Sequence, residues 1–498
     1  MSNLFQTISA PNGVTYEQPL GLFINNQWTA SSNDQKIVSI NPTTETEIVS
    51  VYAATEKDVD LAVGAARAAF ESEAWQGMNA TTRGQLMMRL ADLVEKNRTV
   101  LATIETLDNG KPYSKALGDI EEVYNVLRYY AGWADKHYGQ TIETSRSNFT
   151  YTVREPIGVC GQIIPWNYPL GMASWKLGPA LACGNTVVIK ASEQTPLSIL
   201  YFANLVAESG FPPGVLNIIN GHGSEAGAAL VQHREVDKVA FTGSTATGKQ
   251  IMQLASRTLK NITLETGGKS PLIIFDDAPL DKAVHAAHVG VMGNMGQICT
   301  ATSRVFVHEK IYDVFLDAFV AHVAKINVIG DPFDSRTSQG AQVSKQQFDK
   351  ILSYVQAAKD EGATIIAGGA VAANRPQNKG YFISPTVVGD VKPHMRTYRE
   401  EIFGPFGVFV RFNDEEEVIK MANDTDYGLA AAICTRDNAR IHRVVPKLKA
   451  GMVSVNATNN SDFRVPFGGV KQSGIGRELG QAGLEAYSNI KSVLMNIT

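Results

Sequence analysis

The stretch Lys238-Val239-Ala240-Phe241-Thr242-Gly243-Ser244-Thr245-Ala246-Thr247-Gly248-Lys249-Gln250 decides the fold. Lys238 to Phe241 is a short, mainly apolar run that stops at Thr242-Gly243, and a helical pattern follows from Ala246 to Ser256. A continuous rather than alternating run suits a strand buried on both faces, the condition of strands in a parallel sheet. The unit recurs upstream. Gly161-Gln162-Ile163-Ile164 ends at Pro165, Thr186-Val187-Val188-Ile189 ends at Lys190, and Val215 to Ile219 ends at Asn220-Gly221, with a helical segment from Ser198 to Ser209. Strands alternating with helices predict a parallel α/β sheet.

Outward from this block the alternation continues. Lys57 to Phe70 places Val59, Ala62, Val63, Ala66 and Phe70 on one helical face, with Thr55 and Asp58 as its cap, and Gln85 to Val94 repeats the pattern. Downstream, Pro271 to Phe275 and Arg304 to Val307 read as strands. Leu280 to Met292, Ile311 to Lys325, Phe348 to Glu361 and Glu415 to Met421 read as helices. The glycine pair Gly267-Gly268 marks the boundary between the two series.

With 498 residues, 44% of them hydrophobic and 19% charged, the chain has ordinary globular composition and more length than one core normally fills, so two or more domains are expected. A net charge of -4 gives no support to a nucleic-acid binder. The four cysteines, Cys160, Cys183, Cys299 and Cys434, lack paired spacing, which suits a reducing compartment and argues against a disulfide framework or a zinc ribbon. Met1 to Val14 reads as neither a secretory signal nor a mitochondrial leader, and no apolar run is long enough to cross a bilayer, so a cytoplasmic protein with no membrane partner is expected.

Three loops bear on ligands. Gly243 to Gln250 has the glycine and lysine spacing of a triphosphate loop, yet Gln250 stands where Ser or Thr would hold magnesium. Its backbone N–H groups and helix start still suit a metal-free dinucleotide pyrophosphate. Gly221-His222-Gly223-Ser224-Glu225-Ala226-Gly227 is one residue too long for the usual dinucleotide fingerprint and reads as a tight turn into a helix. Lys190 and Glu193 follow a buried strand, at the sheet edge where ligands bind. Both could bond ribose hydroxyls, and Glu193 would repel a ribose 2′-phosphate; a surface ion pair is the other reading. His285 and His288 lie near metal spacing with nothing to complete a ligand set, and no metal is expected.

The chemistry centres on Cys299, in Gly296-Gln297-Ile298-Cys299-Thr300, and Glu265, in Leu264-Glu265-Thr266-Gly267-Gly268-Lys269. A thiol that attacks a carbon and a carboxylate that activates water suggest a covalent thioester route. A cysteine is by default a small buried hydrophobe, which fits the other three. Cys299 differs in lying between Gln297 and Thr300 in a glycine-containing turn.

Taken in order, these pieces resemble the NAD(P)-dependent aldehyde dehydrogenase superfamily, especially its tetrameric non-acylating branch. The resemblance runs almost end to end. Its pieces are Glu105-Thr106-Leu107-Asp108-Asn109-Gly110-Lys111-Pro112, Pro165-Trp166-Asn167-Tyr168-Pro169, Phe241 to Thr245, Leu264 to Pro271, Gly296 to Cys299, Glu400-Glu401-Ile402-Phe403-Gly404-Pro405 and Pro466-Phe467-Gly468-Gly469. It implies a Rossmann-like cofactor domain (1–138 and 160–267), an α/β catalytic domain (268–478) and a small β oligomerisation arm (139–159 and 479–498). Thr141 to Glu155 and Ser492 to Asn496 would form the arm, with Thr150 to Arg154 alternating as an exposed-edge strand does.

The resemblance also implies roles. Cys299 is the nucleophile, and because a free thiol has a pKa of about 8.5 the site should favour its thiolate. Asn167 and the Cys299 backbone N–H hold the thiohemiacetal oxyanion; hydride passes to the nicotinamide, leaving a thioester. Glu265 is the general base for hydrolysis, and Lys176 supports the proton chemistry. Lys190 and Glu193 would bond the adenosine ribose. Ile164, Trp166, Gly243 and Ser244 would lie along the cofactor, and Glu401 with Phe403 at the nicotinamide ribose. Gln347 and Lys350 would reach it from the other domain, and NAD is favoured over NADP. The substrate channel would comprise Tyr168, Met172, Trp175, Gly293, Ser461 and Phe467. Gly293, Ser461 and the polar loop Thr458 to Arg464 depart from the aromatic lining common in relatives, which predicts a wider, wetter channel. Thr266 replaces a common Leu without a functional account. The expected product is a carboxylic acid; a CoA-acylating relative and a non-catalytic structural homologue are the alternatives. The partner besides the aldehyde is a second copy of the chain, in a dimer or tetramer.

Overall fold

Lys238–Thr242 lies inside an eight-stranded sheet in a computed structural model that describes residues 4–498. The order is Gly474–Ile475, Asn261–Glu265, Lys238–Thr242, Val159–Ile163, Thr186–Lys190, Leu216–Ile219, Leu22–Ile24 and Gln27–Thr29. The five central strands run parallel and the flanking ones antiparallel. Every residue of Lys238–Thr242 and Thr186–Lys190 is buried, so both faces are covered, as the continuous runs predicted. In register, Ile163 pairs with both Lys190 and Phe241, and Thr242 pairs with Glu265. The carboxyl ends of four strands therefore meet along one edge, where open α/β sheets bind ligands.

Glu56–Phe70 begins with the capping box read from Thr55 and Asp58: each side chain accepts the other's backbone N–H, an arrangement worth about 1 kcal/mol. Its Val59, Ala62, Val63 and Ala66 face the sheet core. The second predicted helix is longer than expected, Ala80–Lys96, because Asn79 caps it upstream through the Thr82 N–H. Pro169–Ala182 is buried along its whole length and starts with Pro169, whose missing N–H costs nothing in a first turn.

A second sheet of seven strands runs Thr364–Ala367, Thr386–Gly389, Phe406–Phe412, Arg304–His308, Pro271–Ile274, Ala430–Cys434, Met452–Val455, parallel except at the first pair. Five of these strands, all but Arg304–His308 and Pro271–Ile274, were not read from the sequence; Ala430-Ala431-Ala432 prefers helix and becomes a strand only between two neighbours. Gly474–Ile475 returns from this half of the chain to pair with Leu264 and Glu265.

Ser488–Asn496, Asn148–Pro156 and Thr141–Ile142 form a third, antiparallel sheet. The expected edge strand is a correction here: Thr150 to Arg154 lies in the central strand, paired to Leu494 through Ile490 on one side and, at Thr150 and Tyr151, to Ile142 and Thr141 on the other. Alternation reports two unlike faces, not an edge. Among the described residues no helix is long and apolar enough to cross a membrane.

Candidate active site

The turn carrying Cys299 is built by unusual backbone. Asn294, Met295 and Gly296 all have positive φ (43°, 57° and 72°), and a Cβ on Gly296 would strike the Gly404 carbonyl. A non-glycine residue with positive φ costs of order 1 kcal/mol or more, so tertiary contacts must hold the turn. They do. The Gln297 side chain is buried and accepts the Val343 N–H at 3.0 Å, and Gln342 donates to the Met295 carbonyl at 3.3 Å. A Cβ on Gly268 would come within 2.5 Å of the Cys299 carbonyl, so only glycine lets the two segments approach.

Asn167 faces this turn. Its Nδ2 donates to the Gln297 carbonyl at 3.0 Å, and Asn294 donates to the same carbonyl at 3.2 Å. An amide nitrogen carries two protons, so Asn167 keeps one for another acceptor. The Glu105-to-Pro112 motif, given no role from the sequence, clamps this turn. Asn109 Nδ2 donates to the Trp166 carbonyl at 2.8 Å, Lys111 Nζ to the Asn167 carbonyl at 3.0 Å, and Glu105 accepts the Leu170 N–H at 3.0 Å.

Glu265 ends the strand Asn261–Glu265, which the sequence reading missed because its alternating Asn-Ile-Thr-Leu pattern is short. Its carboxyl is buried and neither oxygen has a protein partner. Burial pushes its pKa well up, Glu478 adds to this, and Lys176 and Arg477 oppose it. Lys176 is fully buried, donates to Thr242 Oγ1 at 2.5 Å and pairs with Glu478. Glu478 is the functional residue sequence reasoning missed. It is positioned by backbone bonds with Phe467, 2.7 and 2.8 Å, that only tertiary structure reveals. Thr266 also gains an explanation: its hydroxyl donates to the Gln472 carbonyl at 2.7 Å, tying the end of this strand to the returning segment.

Cys299, Glu265 and Asn167 line one cavity of about 400 Å³. Cys299 is half-buried there. Burial pushes its thiol up to about 12, and the carboxylates Glu401 and Glu265 push the same way, while the Thr300 N–H and its own N–H pull down. This direction, set first by burial and then by the two acids, runs against the expected thiolate.

The cavity continues past Trp166, Gly243, Ser244, Gln347, Lys350, Glu401 and Phe403. Ser244 caps Thr245–Ala255 through the Thr247 N–H, so this helix start faces the cavity. A Cβ on Gly243 would sit 2.5 Å from the Phe241 ring, and one on Gly267 would overlap the Glu401 carboxyl. Glu401 accepts the Gly268 N–H at 2.9 Å. Phe403, with φ of 64°, packs edge-on against Trp166 at 5.2 Å. Gln347 spends its amide on the carbonyls of Ile402 and Phe403, 3.1 and 2.7 Å, and so holds that strained backbone.

Ile164, Lys190 and Glu193 are not in the lining. They lie farther along the strand-end edge: Ile164 donates its N–H to the Lys190 carbonyl, and Lys190 Nζ bonds the Ala191 carbonyl at 2.7 Å and Glu193 at 3.4 Å. A Cβ added to Gly227, in the turn from Gly223, would lie 3.7 Å from the Lys190 stem, so the loose glycine fingerprint belongs to this same edge. Neighbouring strands lie about 4.8 Å apart, so Lys190 and Thr242, with one strand between, are on the order of 10 Å apart. That span suits a dinucleotide laid across the strand ends: a helix start for the pyrophosphate, a buried cation and an exposed carboxylate at one end, and Glu401 at the other.

Tyr168, Met172, Trp175, Ser461 and Phe467 line the cavity, but Gly293 does not. Gly293 ends Leu280–Met292 next to the lining, where an added Cβ would lie 3.2 Å from Ile298 and 3.7 Å from Asn459, two residues that do line the cavity. His285 and His288 gain His322 as a ring neighbour, yet among the described residues no three His, Cys, Asp or Glu side chains form a group fit to hold a metal.

The chain matches the model of the aldehyde dehydrogenase family over residues 28–493. It is 53% identical over 494 residues to an aldehyde dehydrogenase of Aspergillus niger, covering 99% of this chain and 98% of the relative. It is 52% identical over 495 residues to the mitochondrial aldehyde dehydrogenase of Homo sapiens, covering 99% and 95%. The structure superposes on an NAD+ complex of aldehyde dehydrogenase from Bacillus cereus with a TM-score of 0.94 and 49% identity, over 96% of this chain and 97% of that one. The chain therefore belongs to the aldehyde dehydrogenase family.

Proposed function

We propose that Cys299, Asn167 and Glu265 carry out the oxidation of an aldehyde to a carboxylic acid, with NAD held along the strand ends. The observation that supports this most is that the three side chains, from three separate segments, line one cavity. The protein is an NAD-dependent aldehyde dehydrogenase. When bound, NAD takes up the hydride from the aldehyde carbon, and its positive charge favours ionised Cys299 and Glu265. Trp166, Ser244, Lys350, Glu401 and Phe403 would hold it beside the cavity, with Lys190 and Glu193 at the adenosine ribose.

Cys299 attacks the carbonyl carbon. The thiol proton passes to Glu265, the S–C bond forms, and the π electrons move to oxygen. The free Asn167 N–H and the Cys299 backbone N–H hold that oxygen, where charge develops. Oxidation leaves a thioester. Glu265 first releases the thiol proton to solvent, then takes a proton from water as hydroxide adds to the thioester; the C–S bond breaks, the acid is released, and the proton on Glu265 returns to the Cys299 sulfur. Glu478 and Lys176 are positioning residues: their buried pair sets the charge around Glu265. A buried general base beside the nucleophile is what an enzyme handing its acyl group to CoA would not need, so the acylating alternative gains no support.

We assign the eight-stranded sheet with its helices to the cofactor domain, the seven-stranded sheet to the catalytic domain and the three-stranded sheet to an oligomerisation arm joining copies in a dimer or tetramer. Four free cysteines suit a reducing compartment such as the cytoplasm. NADH absorbance with and without CoA tests the activity. The expected result is acid formation independent of CoA, abolished in Cys299→Ser; NADH production unchanged by that substitution would overturn the scheme.

A further inference from the structure

The polar loop from Thr458 to Arg464 reaches back to the nucleophile. Thr300, the residue after Cys299, is buried, and its hydroxyl donates to Asn459 Oδ1 at 2.9 Å. Asn459 Nδ2 donates in turn to the Val289 carbonyl at 2.9 Å. Val289 lies in the last turn of Leu280–Met292, the helix that leads into the Cys299 turn. The last carbonyls of a helix have no full set of partners within it, so this bond also caps the helix. Thr458 donates to the Ala286 carbonyl of the same helix at 2.6 Å, and the Thr302 N–H donates to the Gly290 carbonyl at 2.9 Å. One side-chain amide therefore bridges the nucleophile turn and the helix that carries it.

Asparagine suits this place twice. Its backbone has a φ of 53°, a left-handed conformation that asparagine tolerates better than most residues. Its side chain accepts from Thr300 and donates to Val289 at once, whereas an ionised aspartate could only accept. Gly293 adjoins this amide: an added Cβ would lie 3.7 Å from Asn459 Nδ2, so a bulky residue at 293 would compete with it for space. Thr300 and Asn459 both line the cavity, followed by Asn460 and Ser461 of the same loop.

We propose that Asn459 is a positioning residue for the nucleophile: through the Thr300 hydroxyl it fixes the Thr300 backbone N–H against the Cys299 sulfur. This rests on the reading of Cys299 as the attacking group in aldehyde oxidation. The Thr300 N–H is one of the two groups that oppose the upward push on the thiol. A hydrogen bond weakens steeply as it bends, so the donor serves the sulfur only while its peptide is held in line. Tethering the Thr300 side chain holds that peptide. Negative charge gathers on sulfur twice, before attack and again as the C–S bond breaks, and the same N–H meets it both times.

The test is alkylation of Cys299 by iodoacetamide between about pH 7 and 10, read on the Cys299 peptide by mass spectrometry, with no cofactor and no turnover. Thr300→Val keeps the bulk of the side chain and removes the hydroxyl; Thr300→Ser keeps the hydroxyl. Asn459→Gly removes the amide without straining the left-handed backbone. Thr300→Val and Asn459→Gly should each slow alkylation by about threefold to tenfold and move the profile to higher pH, as expected for loss of one hydrogen bond. Thr300→Ser should stay within about twofold of wild type. The double variant Thr300→Val with Asn459→Gly should be no slower than the slower single variant, because both break one tether. A profile unchanged in Thr300→Val or in Asn459→Gly, or two effects that multiply in the double variant, would overturn the inference and leave the oxidation reading intact. If the wild type forms no NADH from butanal, the oxidation reading falls instead, and the alkylation profiles still decide the tether.

Discussion

Replacing Asn167 with alanine separates transition-state binding from fold. The side chain makes one internal hydrogen bond, Nδ2 to the Gln297 carbonyl at 3.0 Å, and that carbonyl keeps Asn294 as a donor at 3.2 Å. No buried acceptor is orphaned, so the folding cost is that of one replaceable bond, about 1 kcal/mol. Loss of a donor to a developing oxyanion costs roughly 10²–10³ in kcat, about 2.7–4 kcal/mol. Because the charge develops only after attack, KM should change little. Asn167→Asp should fall lower still, since a carboxylate repels the oxyanion. The measurements are steady-state NADH absorbance, a stopped-flow trace for the first turnover, and a melting curve. The slow step in the first turnover should be NADH formation itself. A kcat within about fivefold of wild type, or a raised KM at unchanged kcat, would refute the placement of Asn167 at the oxyanion.

Cys299 should alkylate slowly at neutral pH: a thiol raised to about 12 holds its proton, and reactivity follows the thiolate. The rate with iodoacetamide should climb roughly tenfold per pH unit between about pH 7 and 10, and a plateau below about pH 8 would contradict this. Lys111→Met strands the buried Glu105 and Asp119 carboxyls, at a cost of about 3–5 kcal/mol read in the melting curve. Both carboxyls have raised folded-state pKa values, so the folded state holds protons that the unfolded state releases above about pH 4. Stability from these groups is full below that point and falls as pH rises, so the deficit should narrow toward acid; a deficit independent of pH would show that Lys111 acts by packing alone.

Legibility followed locality. Strands buried on both faces announce themselves through unbroken apolar runs, as Thr186–Lys190 and Lys238–Thr242 did. The cap at Thr55 and Asp58 was legible because both partners lie within four residues. Cys299, Glu265 and Asn167 were found through motifs around each. The strand Asn261–Glu265 and the five unread strands of the second sheet were not, because neighbours far along the chain decide them. Gly293 was placed in the channel from its sequence position; it is not itself in the lining but adjoins Ile298 and Asn459, which are, as an added Cβ there would meet both.

By itself, then, the sequence determined the alternating α/β pattern, the nucleophile and base as residue types in suitable turns, and the loop that fits a pyrophosphate without magnesium. Only tertiary structure decided that Glu478 and Lys176 stand beside Glu265, that the Glu105-to-Pro112 motif clamps the Asn167 turn, and that Asp119 and Glu122 edge the channel. Propensity and capping depend on residues a few positions apart, whereas burial and charge depend on whatever the fold brings near. Burial, followed by Glu401 and Glu265 from two segments far from it in the chain, raises the pKa of the Cys299 thiol.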